Sequence, residues 1–90
     1  DTTNYPDNIT IYVDADPYAN YDSPIIVSDE ENIGDVYIRL VDGDGGIVGS
    51  VIVISPGQTA TLDDVSVVSG TCTIQGKAVD ASGEYTFEIQ

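Results

Sequence analysis

Asp35 to Ile54 reads DVYIRLVDGDGGIVGSVIVI. Two runs rich in Val and Ile flank the cluster Asp42-Gly43-Asp44-Gly45-Gly46, and hairpin turns select Asp-Gly and Gly-Gly pairs because those residues tolerate positive φ. The stretch therefore predicts a β-hairpin. In its first arm Val36, Ile38 and Leu40 alternate with Tyr37, Arg39 and Val41, the period of two that gives a strand two distinct faces. The second arm, Ile47 to Ile54, breaks that rule. Ile47, Val48, Val51, Ile52, Val53 and Ile54 leave it no polar side except near Gly49 and Ser50, and Gly49 predicts a bulge or a close backbone approach. An arm apolar on both faces is either a central strand covered by a loop or by the N-terminal arm of its own chain, or a surface that another subunit covers.

Working outward, helix signals are almost absent. No apolar spacing at three and four residues is sustained, whereas Thr, Val, Ile and Tyr dominate and Gly and Pro recur. Asn8 to Val13 predicts a first strand with Ile9, Ile11 and Val13 on one face. Asp14 to Ser23 is a loop by composition, rich in Asp and Asn and carrying the Asp16-Pro17 pair. Pro24 to Ser28 predicts a short strand with Pro at its first position, where a missing N–H does least damage. After the hairpin, Ser55-Pro56-Gly57 reverses the chain, and Gln58 to Leu62 and Val65 to Val68 predict two weak strands. Thr71 to Val79 follows, with Cys72, Ile74 and Ala78 on one face. Glu84 to Ile89 closes the chain with the cleanest alternation: Tyr85, Phe87 and Ile89 against Glu84, Thr86 and Glu88.

About seven or eight short strands at roughly ten-residue spacing, joined by tight turns, predict an all-β, antiparallel two-sheet sandwich, immunoglobulin-like or jelly roll, with a small barrel as the alternative. Ninety residues suffice for one core, so residues 8–90 are expected to form a single domain, preceded by a polar arm at residues 1–7.

Charge limits the partners. Sixteen Asp and Glu face one Arg and one Lys, with no His, for a net charge of −14. Phosphate backbones and anionic leaflets are bound by clusters of Lys and Arg, so nucleic acid and membrane insertion are excluded. Such an imbalance opposes self-association unless salt or bound cations screen it, which favours a salty or calcium-containing exterior. The expected location is extracellular or at a cell surface. With Asp at residue 1 and no secretory or transmembrane run, a processed chain is expected. The single Cys72 permits no intrachain disulfide and reads first as a small core filler.

Three site readings follow. Calcium is the possible cofactor: Asp42 and Asp44 open a carboxylate-rich turn with which Asp14, Asp16, Asp29, Glu30 and Glu31 could converge. Gly46 nevertheless stands where a helix-loop-helix site needs an oxygen, and no Glu closes the register, so a plain hairpin turn is the first reading. Tyr18 and Tyr21 offer flat, amphipathic rings that could stack on a sugar or anchor a partner, or fold over the core edge. Catalysis lacks its parts: there is no His, no nucleophile signature, and little room for a cleft between two carboxylates. No enzyme activity is expected.

From Gly34 onward the order of features resembles the subunits of bacterial spore-appendage fibres, through GDVYIRL, the glycine turn, VIVISPGQTAT, TIQGKAV and SGEYTFEI. The resemblance covers about the last sixty residues and implies a jelly-roll sandwich that stacks into extracellular filaments. Those subunits carry cysteines in an N-terminal connector, whereas DTTNYPD has none, which leaves a non-covalent arm. The function expected is that of a non-catalytic building block of a filament, appendage or surface layer. Its partners are further copies, met through strand edges or the N-terminal arm. Ile47, Val48, Val51, Ile52, Val53 and Ile54, with Ile9 and Ile11, form the expected interface. A calcium-stabilised adhesion or carbohydrate-binding module and a virion decoration protein are the alternatives.

Overall fold

The computed structural model of the chain describes residues 9–15, 20–42, 44–63, 66–68 and 73–90. Nine strands lie among them: β1 Ile9–Asp14, β2 Asn20–Asp22, β3 Ile25–Ser28, β4 Val36–Val41, β5 Ile47–Ile54, β6 Thr59–Thr61, β7 Ser66–Val68, β8 Thr73–Ala78 and β9 Gly83–Ile89. They form a four-stranded sheet in the order β1-β9-β3-β6, a three-stranded sheet β5-β4-β8, and a two-stranded ribbon β2-β7. The described residues contain no helix.

The alternating residues build the core between the sheets. Val36, Ile38 and Leu40 of β4 and Ile74 of β8 meet Ile26 of β3 and Tyr85, Phe87 and Ile89 of β9 in one buried cluster. Burial at every second position on β9 follows the sequence pattern without exception. At one side the sandwich is closed where β1 meets β8. The backbone of Gly76 comes so near β1 that a Cβ there would lie 2.6 Å from Ile11 Cδ1 and 3.0 Å from Ile9 Cδ1. The edges β5 and β6 lie at the other ends of the two sheets.

Three features depart from the sequence-based picture. First, the sandwich is not wholly antiparallel: β1 runs parallel to β9, pairing Ile9 with Gly83 through to Asp14 with Glu88. Second, the polar segment between β1 and β3 is not only loop, because Asn20–Asp22 pairs antiparallel with Ser66–Val68; tertiary pairing overrides the turn propensity of Asn and Asp. Third, β8 and β9 lie in different sheets.

The hairpin forms as expected, with its predicted bulge. Val36 to Ile38 pair with Ile54 to Ile52, but Leu40 then pairs with Val48, so Gly49, Ser50 and Val51 stand against Arg39 alone. Gly49 takes φ 75°, a left-handed conformation that glycine enters without a Cβ penalty. Because β5 thereby gains an even number of residues, its inward positions stay even-numbered across the bulge.

Candidate functional site

Among the described residues β5 is an edge strand, and only β4 pairs with it. Its place in the sheet therefore differs from the central strand that its two-sided apolarity predicts. The two faces serve different ends. Val48, Ile52 and Ile54 point inward, Ile54 fully buried and the other two packed half-buried against the core. Ile47 and Val53 point outward and remain 53% and 52% exposed. Val51, next to the bulge, is half-buried. Of the expected interface residues, Ile9 and Ile11 also turn inward, into the seam over Gly76. The outward set reduces to Ile47, Val51 and Val53.

Strand pairing extends this set into a face. Val53, Tyr37 and Lys77 form one row across β5, β4 and β8; Arg39 and Gln75 form the next; Ile47, Val41 and Thr73 form the third. Arg39 Nε donates to Gln75 Oε1 at 2.9 Å, which holds the guanidinium across the face. Tyr37, Arg39 and Lys77 were not singled out from the sequence. A signal for them is present there: residues 36–41, 47–54 and 73–78 contain both cations of the chain and none of its sixteen carboxylates.

The opposite outer face, on the four-stranded sheet, has the reverse character. Thr10, Tyr12 and Asp14 of β1 stand beside Glu84, Thr86 and Glu88 of β9, and Val27 of β3 pairs with Glu88. The Tyr12 hydroxyl donates to Glu84 Oε1 at 3.0 Å, and that bond, with the carboxylate's charge, raises the phenol above its ordinary pKa. Asp14, Asp29 and Glu88 line a shallow hollow with Val27 and Thr86.

The remaining candidate sites are placed as follows. Asp42 Oδ1 accepts the N–H groups of Asp44 at 2.9 Å and Gly46 at 2.8 Å, an arrangement that closes the hairpin turn on itself. Among the described residues no three Asp or Glu side chains gather in a way that would hold a metal ion. Asp14 stands beside Glu88 on the four-stranded sheet, and Asp29, Glu30 and Glu31 follow β3. Tyr21, on β2, is half-buried and packs against the core cluster. Asp16, Tyr18, Cys72 and the arm at residues 1–7 lie outside the described residues.

The strands define a small β-sandwich that places Asp14, Glu84 and Glu88 on the outer side of one sheet and Arg39 and Lys77 on the outer side of the other. Compared with models of protein families, with curated proteins and with solved structures, the chain matches none.

Proposed function

We propose that this chain is a non-catalytic structural subunit that associates with copies of itself in an extracellular or surface assembly, such as a filament or appendage. The observation that carries the reading is β5: an edge strand with no charged residue and with Ile47 and Val53 more than half exposed on its outer side. Edge strands of stable monomers are ordinarily shortened, bulged or charged to prevent pairing. β5 has a bulge, but at eight residues it is the longest strand described and bears no Lys, Glu or Pro. The resemblance of residues 34–90 to spore-appendage subunits supports the same reading, and a net charge of −14 fits surroundings in which salt screens repulsion.

Negative-stain images of the purified protein at high concentration, in low and high salt and with and without calcium, test this. Filaments or regular oligomers are expected. Monomers under every condition would overturn the proposal.

A further inference from the structure

We propose that the first contact of this assembly is a two-fold, antiparallel pairing of β5 with β5 of a second copy, made through the regular stretch Val51 to Ile54. The inference rests on the self-assembly reading above and names its first step.

The backbone shows where β5 is open. The Asp42 N–H donates to the Gly46 carbonyl at 2.8 Å, and the Val79 N–H donates to the Asp35 carbonyl at 3.1 Å. Hydrogen-bonded and non-bonded pairs alternate along an antiparallel ladder, so even-numbered residues of β4 bond to β5 and odd-numbered ones to β8. Val48, Ile52 and Ile54, the partners of Leu40, Ile38 and Val36, therefore turn their backbone groups to β4. Val51 and Val53 turn theirs the other way, where no described strand pairs with them. Beyond Ile54 the open edge ends, because Ser55 gives its N–H to Gln58 Oε1 and its carbonyl accepts the Gln58 N–H. Before Val51 the bulge at Gly49 bends it. What remains is a short edge of N–H and C=O groups beside a Val53 that is 52% exposed.

Symmetry and charge select a second copy as the occupant. In a two-fold pair centred at Ile52, the N–H and C=O of Val51 meet those of Val53 of the partner subunit, and the reverse, so the edge is its own complement. The apolar side chains at these positions then pair across the outer side of the joined sheet. At a net charge of −14, copies can meet only where their carboxylates stay apart. β5 carries none, and the nearest before it, Asp42 and Asp44, lie in the hairpin turn. An antiparallel pair puts the two turns at opposite ends, each about 15 Å from the axis at about 3.3 Å per residue. Their separation far exceeds the screening length of about 8 Å at physiological ionic strength. A parallel pair would set the turns side by side. The contact is isologous and closes as a dimer, from which larger assemblies grow through other surfaces.

Proline and cysteine variants test it. Val53→Pro removes an N–H that the ladder to β4 does not use, and proline is tolerated on edge strands for that reason. Sedimentation velocity should show its association weakened by about a hundredfold, since the two-fold loses one hydrogen bond twice at about tenfold each. In a Cys72→Ala background, Val51→Cys mixed with Val53→Cys should form a disulfide-linked dimer on mild oxidation, because the paired Cα atoms lie about 5.5 Å apart. Either cysteine variant alone should not, because like positions are offset along the strands beyond disulfide reach. If the wild-type protein associates while Val53→Pro, with native circular dichroism, associates equally well, the β5 pairing is wrong and self-assembly stands. If each cysteine variant links to itself and the mixture does not link, the pair is parallel or in another register, and the proposal is overturned. If the wild type is monomeric throughout, as it would be were β5 covered by its own chain, self-assembly fails and the β5 pairing with it.

Discussion

Asn32 shows how one side chain can continue a sheet where a strand has ended. Its Nδ2 donates to the Thr86 carbonyl and to Ser28 Oγ, each at 2.9 Å, while its Oδ1 accepts the Thr86 N–H at 2.8 Å. The Asp29 N–H also donates to the Thr86 carbonyl at 3.1 Å, so the amide reinforces the end of β3 beside β9. Asn32→Ala is expected to cost about 1–3 kcal/mol, because a buried hydroxyl and a strand N–H lose their partner. Urea denaturation checks this, and an unchanged midpoint would contradict it. Tyr85 is the second decisive residue. It is fully buried and its hydroxyl donates to the Ala81 carbonyl. Burial first, then the charges of Asp35 and Asp80, raise its pKa above 10.0. The stability this neutral phenol contributes is therefore fully present below pH 10 and is lost as pH rises through the higher folded-state value. Thermal melts between neutral and strongly alkaline pH should show that decline in the wild-type protein and a shallower one in Tyr85→Phe; equal slopes would refute the assignment.

At the scale of elements, β5 and the seam between β1 and β8 make separable predictions. Ile54→Ala should destabilise the fold by about 2–5 kcal/mol, as large-to-small changes in a packed core do. Val53→Ser should leave stability within about 0.5 kcal/mol, because it changes an exposed position, yet it should weaken assembly. Parallel denaturation and sedimentation measurements separate the two effects. Gly76→Val should cost about 1–3 kcal/mol by overpacking, since even a Cβ would press on Ile11 Cδ1 at 2.6 Å. A Tm equal to that of the wild type would mean that β1 does not sit so close.

Elements were legible in the sequence to the degree that their signal is local. The alternation of β4 and β9, the Asp-Gly turn and the bulge at Gly49 are properties of neighbouring residues, and they fold as read. The three residues of β2 carry no period, and only their pairing with β7 makes them a strand. The direction of β1 beside β9, its partner 74 residues later, is set by how the sandwich closes and leaves no local trace. For the candidate site, the surplus apolarity of β5 was visible, but its position at an edge was not, because an unpaired edge and a doubly covered centre can share one composition. Tyr37, Arg39 and Lys77 become a face only when β4 and β8 are known to be neighbours.

For the whole molecule, the charge of −14 on 90 residues sets two opposing tendencies. Self-repulsion destabilises the compact state, so raising monovalent salt at neutral pH should raise Tm; a flat or falling Tm would show that repulsion is not a significant cost. The same repulsion acts between molecules and is screened by the same salt.

Sedimentation velocity over a wide dilution series, at physiological ionic strength, tests the central claim most directly. The wild-type protein should form species that grow with concentration, while Ile47→Ser/Val53→Ser, folded and equally stable, should sediment as a monomer throughout. A wild-type protein that stays monomeric, or a double variant that assembles as the wild type does, would contradict the account.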